Sequence, residues 1–332
     1  MPMSTLSVPN ISLMALDDLS DISCISVPLK GLFMRAYVIG NVTIDETIAV
    51  SEMPAAGASV LGRQRSRDLG GKGANQAVIM ARCGLPTTLV AAIGEGFRAD
   101  AIREHLAEEP VVNHLIALPG RSTDFSVVLT TPDGENLNVT TTDAAQNLPL
   151  AEAVAGLADA GPGDLAVLQG NLTDETTRGV LEAASSRGMI TVFNPSPLRS
   201  FFCGLWPFID IAFLNEGEAL ALTGTSGEEA CRRLLATGVR EVVLTFGGNG
   251  AMLASGDAMI RVPSVPCTVV DTTGAGDTFM AVALASAALR GSRLDRTAIE
   301  HAARAAAITV SRPGTRSAFP TRSQLAAIFA VG

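Results

Sequence analysis

The residues best placed to do chemistry lie in Asp271-Thr272-Thr273-Gly274-Ala275-Gly276-Asp277, followed by Thr278, Phe279 and an apolar run ending at Leu289. Small residues at 274–276 let the backbone turn tightly and present N–H groups to a ligand. The run from Thr278 to Leu289 predicts a buried helix whose N-terminus points back at that turn. Such a place suits an anion. A carboxylate beside an anion repels it unless the carboxylate has another task, and taking the proton from a hydroxyl that attacks a phosphoryl group is such a task. The alternative on this string alone is that Asp277 is a helix cap in a glycine turn.

A second glycine-rich stretch is Gly70-Gly71-Lys72-Gly73-Ala74-Asn75. It is not a Walker loop, because Gly73 follows Lys72 where a Ser or Thr would ligate magnesium. The Rossmann fingerprint also fails, since Gly40-Asn41-Val42-Thr43-Ile44-Asp45 lacks the glycine pair that admits a pyrophosphate. What remains is a close-approach backbone carrying Lys72 and Asn75, suited to the hydroxyls of a polyol, with Asp45 as a further bidentate acceptor. Asn215-Glu216-Gly217-Glu218 reads either as a plain capping box or as a pair organising hydrated magnesium and nucleotide phosphates. Thr245-Phe246-Gly247-Gly248-Asn249-Gly250 is a glycine loop at the end of a strand, where it could lie along a nucleotide.

Short apolar strands alternating with amphipathic helices must hold these stretches, the signature of a mainly parallel sheet with helices on both faces. Strands are expected at Ala36 to Ile39, Thr87 to Ile93, Leu165 to Leu168, Ile190 to Asn194, Ile211 to Leu214 and Glu241 to Thr245. Ala74, Ala77, Val78 and Ala81 recur at helical spacing. Further helices are expected at Arg98 to Glu108, Glu175 to Arg187, Glu216 to Thr223, Glu228 to Ala236, Thr297 to Val310 and Ser323 to Ala330. Two antiparallel ribbons interrupt the rhythm: Thr47 to Val50 with Arg63 to Asp68, and Ser126 to Thr131 with Leu137 to Thr141 around an Asp133-Gly134 turn. Together they predict a small lid, residues 46–68 and 122–143, over the strand ends. Residues 1–33, with Asp17, Asp18 and Asp21 and no clear period, are expected to be a loosely attached extension or to precede a natural start at Met34.

Composition narrows the partners. With 47% hydrophobic and 17% charged residues the 332-residue chain can bury a substantial core. The longest apolar run, Phe279 to Leu289, is short of the roughly 20 residues that cross a bilayer, so no membrane partner is expected. A net charge of -9 and a single Trp and Tyr give neither a basic phosphate-tracking surface nor a stacking platform, which argues against nucleic acid. Five scattered cysteines fit a reducing cytoplasm. The three histidines show no metal-ligand spacing.

The ordered set Asp45, Gly70 to Asn75, Asn215 to Glu218, Thr245 to Gly250 and Asp271 to Asp277 resembles the ribokinase-like (PfkB) carbohydrate kinases, from about Tyr37 to the C-terminus. The resemblance implies a three-layer α/β sandwich with a mainly parallel central sheet and a small antiparallel β lid. It implies phosphorylation of a primary hydroxyl of a small sugar by ATP with Mg2+, and a monovalent cation such as K+. Asp277 matches the catalytic base, and Gly274, Ala275 and Gly276 match the anion hole. Asp45, Gly71, Lys72 and Asn75 match sugar-binding positions. Asn215, Glu218, Thr245, Gly247 and Gly250 match the nucleotide and phosphate positions. Asp271, Thr273, Thr309, Arg312, Gly314 and Ser317 match the monovalent-cation site. The chain departs from ribokinase at Asn171, a further substrate-binding candidate, where an acceptor-only glutamate gives way to an amide that also donates. The sugar's hydroxyl pattern is expected to differ accordingly. A nucleoside kinase of the same fold and a non-catalytic sugar or nucleotide sensor remain the competing readings. The exposed edges of the ribbons predict a homodimer through the lid.

Overall fold

A computed structural model describes residues 34–132 and 136–331. The expectation about residues 1–33 and the Asp133-Gly134 turn fall outside the described residues. Apolar residues open the described chain as β1 (Ala36–Ile39), all buried. β2 (Thr43–Val50) and β3 (Gly62–Gly70) follow, then α1 (Lys72–Arg82), β4 (Thr87–Glu95), α2 (Phe97–Ala107) and β5 (Val112–Ser122). β6 (Phe125–Thr130) and β7 (Asn136–Thr140) precede the short α3 (Leu150–Ala155) and the units β8 (Leu165–Gln169), α4 (Asp174–Ser186) and β9 (Ile190–Asn194). The chain continues through β10 (Ile211–Asn215), α5 (Glu216–Thr223), α6 (Gly227–Leu235) and β11 (Glu241–Thr245). It ends with β12 (Ala251–Ser255), β13 (Ala258–Val262), α7 (Ala275–Leu289), α8 (Arg296–Val310) and α9 (Arg322–Phe329).

The main sheet has nine strands in the order β13-β12-β11-β10-β9-β8-β1-β4-β5. It is parallel from β11 to β5, and β12 and β13 add an antiparallel edge. Alternation along the strands feeds two cores, as the period of two requires. Val38, Leu89 and Val167 pack with α1, α2, α7, α8 and α9 on one side, and Ile39, Val90 and Leu168 pack with α3 to α6 on the other. The expected three layers are therefore present. β1 pairs in parallel with β4 on one side and β8 on the other, so the connections diverge there and open a crevice at the carboxyl ends of the strands.

The lid is a four-stranded sheet in the order β3-β2-β6-β7. Both ribbons are antiparallel as expected, and β2 joins them by pairing in parallel with β6. The first ribbon is longer than expected. Pairing continues through Asp45–Asp68 to Thr43–Gly70, so Asp45 sits near the start of a lid strand, β2, rather than in a loop before it.

β5, β12, β13 and α3 lie outside the elements expected from the sequence. β5 contains Pro119 and Gly120 and pairs only along the outer edge of the sheet, where a proline is tolerated. β12 and β13 are a hairpin around Gly256-Asp257 whose Ala- and Met-rich residues have weak strand preference.

Candidate active site

α7 is apolar around its whole circumference and buried from Asp277 to Ala288, as a helix between two other layers must be. Its first turn is the exception. Gly274 caps it with φ 74°, and a Cβ there would sit 2.6 Å from the Phe319 ring, so only glycine meets both demands. The Ala275 N–H donates to the Thr272 carbonyl at 3.3 Å, while the N–H groups of Gly276 and Asp277 have no partner among the described residues. Gly276 is exposed, and a Cβ there would meet nothing within 4 Å. The free donor end of α7 faces a cavity of about 220 Å³ lined by Lys72, Asn194, Asn215, Glu218, Thr245, Gly274, Gly276 and Asp277, among others.

Asp277 is 5% exposed at the edge of this cavity. Its Oδ2 accepts from Asn75 Nδ2 and its Oδ1 from Gln76 Nε2, both at 2.9 Å. A buried carboxylate is costly unless it is hydrogen-bonded, and two amide donors satisfy this one, at the N-terminus of α7, and fix its orientation.

The start of α1 is built differently. Gly71 (φ 90°) brings the chain against Asn41 and Val42, with room for no Cβ. Asn41 then takes the Gly73 N–H with its side chain (3.3 Å) and the Ala74 N–H with its carbonyl (3.0 Å), and the Asn75 N–H goes to the Gly71 carbonyl. The N–H groups of Gly73, Ala74 and Asn75 are thus satisfied within the protein, and this helix end offers the side chains of Lys72 and Asn75 instead. Lys72 forms no ion pair among the described residues and is half-buried at the cavity.

Asp45 is buried against Gly70, accepting from Thr43 Oγ1 (2.8 Å) and Thr315 Oγ1 (3.2 Å). Burial pushes its carboxyl above the usual carboxylate range, with the hydroxyl donors of Thr43, Ser126 and Thr315 pulling the other way and nearby Asp68 adding to the rise. Asn171, just past β8, is 5% exposed, and its Oδ1 is buried with no hydrogen-bond partner. Neither residue lines the cavity holding Asp277.

On the other side, Asn215 and Glu218 form a complete capping box at the start of α5 (2.9 and 2.8 Å), so both readings of that stretch stand on the same geometry. Only Oε2 of Glu218 is used in it. Thr245 ends β11, with its hydroxyl on the Leu214 carbonyl (3.3 Å). Gly247 lies exposed in the loop beyond, and Gly250 packs against the backbone of Val262 to Ser264, so these two glycines do not line the cavity.

Of the cation-site candidates, Asp271 joins two segments by accepting from the N–H groups of Thr273 (2.9 Å) and Gly314 (3.2 Å). Ser317 is fastened through its N–H to Asp68 (2.9 Å). The Thr309 hydroxyl is turned into the helix layer, against Thr278 (3.0 Å) and the Ala305 carbonyl, and its own carbonyl accepts from the Arg312 N–H (3.2 Å). Among the described residues no group of three or more His, Cys, Asp or Glu forms a metal cluster, and no helix is long and apolar enough to cross a membrane.

The family model for the pfkB family carbohydrate kinases matches residues 35–322. The chain belongs to the pfkB family of carbohydrate kinases. The ribokinase of Bacillus subtilis is 30% identical over 288 residues, covering 87% of this chain and 97% of that protein. Among solved structures, the ribokinase of Thermotoga maritima superimposes with a TM-score of 0.81 at 25% identity, over 90% of this chain and 100% of that one. Arabidopsis thaliana ribokinase complexed with ribose and ATP does so with a TM-score of 0.79 at 26% identity, over 91% of this chain and 100% of that one. As a pfkB kinase the chain is an ATP-dependent carbohydrate kinase, a phosphotransferase with an alcohol group as acceptor.

Several residues around the pfkB site were not singled out in the sequence. Asn194 and Ser196 line the cavity after β9, and Thr315 holds Asp45. Gln76 and Gln169 are fully buried behind Asp277. A glutamine within a run of core-facing α1 residues, and another closing a wholly apolar strand, are the signals that point to the last two.

Proposed function

We propose that this enzyme transfers the γ-phosphoryl group of ATP to a primary hydroxyl of a small pentose- or hexose-like sugar, with Asp277 as general base. The observation that carries the proposal is the pairing, at one cavity, of a fixed carboxylate with the unpartnered N–H groups of Gly276 and Asp277. The Asp277 carboxylate accepts the hydroxyl proton. The N-terminus of α7 holds the charge on the transferring group, an interaction that strengthens in the transition state. Lys72 adds a positive charge on the same side. Asp45, Asn75 and Asn171 supply acceptors and donors for the other sugar hydroxyls, and the lid excludes water from them.

Magnesium fits the nucleotide side because Glu218 keeps one carboxylate oxygen outside its capping box, beside Asn194 and Asn215. When bound it would neutralise phosphate charge. The Asp271 carboxylate draws Thr273 and Gly314 together, and the backbone oxygens of this turn would hold potassium, whereas the Thr309 hydroxyl is engaged in the helix layer. The homodimer is supported by β7, an edge strand of the lid that leaves Leu137 and Val139 exposed. A reducing cytoplasm is supported by Cys83, Cys203, Cys231 and Cys267, which are free thiols.

The nucleoside-kinase reading needs an aromatic wall for the base. Phe125 is the candidate the sequence offers, but the Arg98 guanidinium lies 4.0 Å over its ring. A sensor would have no use for a carboxylate fixed beside free N–H donors. An ADP-release assay over a panel of sugars and nucleosides tests the assignment. Release dependent on a small sugar supports it, and release driven only by nucleosides, or none with any acceptor, overturns it.

A further inference from the structure

Behind Asp277 lies a chain of amides that no ligand can reach. Gln76 and Gln169 are both 0% exposed. Gln76 Nε2 donates to Asp277 Oδ1 (2.9 Å), and Gln169 Nε2 donates to Gln76 Oε1 (2.7 Å). The chain has a direction. A carboxylate only accepts, so Gln76 must turn its NH2 toward Asp277 and its carbonyl away, and Gln169 must meet that carbonyl with its own NH2. The last carbonyl, Gln169 Oε1, is then left buried without a donor against the backbone at Gly40. A methionine or leucine pair of similar volume would fill the space with no amide left unpaired, and would deprive only Asp277 Oδ1 of its donor. The two amides therefore make sense only through what they hold.

We propose that Gln76 and Gln169 are positioning residues that aim the Asp277 carboxylate at the acceptor hydroxyl, an inference that rests on Asp277 being the base. Asn75, which holds the other oxygen, is itself a sugar-binding candidate and 6% exposed where Gln76 is wholly buried, so its amide is the one shared when sugar enters. Gln76 is the bond that persists through the reaction. Gln169, anchored at the end of β8, keeps Gln76 from turning its carbonyl toward Asp277, where two acceptors would repel.

The test replaces each glutamine with methionine, which keeps length and removes the hydrogen bonds, and measures kcat, sugar affinity and thermal unfolding. Gln76→Met is expected to lower kcat by about tenfold to a hundredfold, as misplacement of a reacting group by a fraction of an ångström does, with sugar affinity within twofold of the parent. Gln169→Met is expected to lower kcat less, and the double variant to be no slower than Gln76→Met alone. An unchanged kcat, a loss that falls on sugar affinity instead, or losses that multiply in the double variant overturn the relay. If Gln76→Met does not fold, Gln169→Met decides, because it leaves Asp277 and Gln76 in place. Its kcat must fall several-fold at unchanged sugar affinity. Asp277→Asn run beside them separates the two ideas. Parental turnover in that variant refutes the base itself, whereas an inactive Asp277→Asn with a fully active Gln76→Met refutes only the relay.

Discussion

The two glycine-rich helix starts, at α1 and at α7, look alike in sequence and differ in what they leave free. At α1 the N–H groups of Gly73, Ala74 and Asn75 are satisfied by Asn41 and Gly71, and the helix presents side chains. At α7 the N–H groups of Gly276 and Asp277 have no partner among the described residues, and the helix presents its main chain. The difference matches the two substrates of a sugar kinase. Hydroxyl patterns are told apart by directed side chains, whereas a phosphoryl group is met by oriented N–H dipoles that any nucleotide triphosphate can use. Each half also carries a destabilising feature that the proposed function accounts for: a buried carboxylate at Asp45 and an exposed glycine in the first turn of α7.

The junction of the halves should be the most sensitive point. Asp277→Asn keeps the shape while setting an NH2 against one of its two amide donors, and turnover is expected to fall by about a thousandfold with sugar affinity nearly unchanged, as loss of a general base does. Steady-state kinetics beside sugar titration checks this. On the side-chain half, Asp45→Asn should lower kcat/KM for the sugar by about a hundredfold, the effect of deleting a charged hydrogen-bond acceptor. The same change should stabilise the ligand-free protein. The folded state raises the Asp45 pKa, so its contribution is most favourable below the unfolded carboxylate range near about 4 and is lost as pH rises through the raised value. Thermal unfolding across pH should therefore show the variant matching the parent in acid and exceeding it at neutral pH.

The main-chain half makes the complementary test. Gly276→Ala adds a methyl where the protein leaves open space, so it should raise stability by up to about 1 kcal/mol through helix propensity. It should also lower kcat/KM for ATP by about tenfold, because the phosphates lose their approach to the donor end. An Ala variant with parental ATP kinetics would erase the contrast between the helix starts. The smallest effect is expected at Asn171, where Gln169-Gly170-Asn171 leaves a buried acceptor unpaired. Asn171→Glu should shift preference between sugars by a few-fold, read as ratios of kcat/KM across the panel.

Much of this was legible in the chain because local pattern and global fold agree. The strand from Ile190 to Asn194 and the helix from Glu216 to Thr223 fall where alternation and the capping box place them. The inner reach of β2 was not legible, since Thr43 and Asp45 are polar residues that become strand only through pairing with Gly70 and Asp68. The Gln76–Gln169 pair was hidden for a related reason. Residues 93 positions apart meet only once β8 lies beside α1, and nothing local marks the contact. The same holds for Thr315, which reaches Asp45 across 270 positions.

The central claim is that one carboxylate and one set of main-chain donors serve the same transfer. A structure with a bound sugar and a non-hydrolysable ATP analogue measures this directly. The account predicts a primary hydroxyl within about 2.6–3.2 Å of the Asp277 carboxylate, with the γ-phosphate on the N–H groups of Gly276 and Asp277. A sugar bound away from Asp277, or a γ-phosphate held elsewhere than the start of α7, would contradict it.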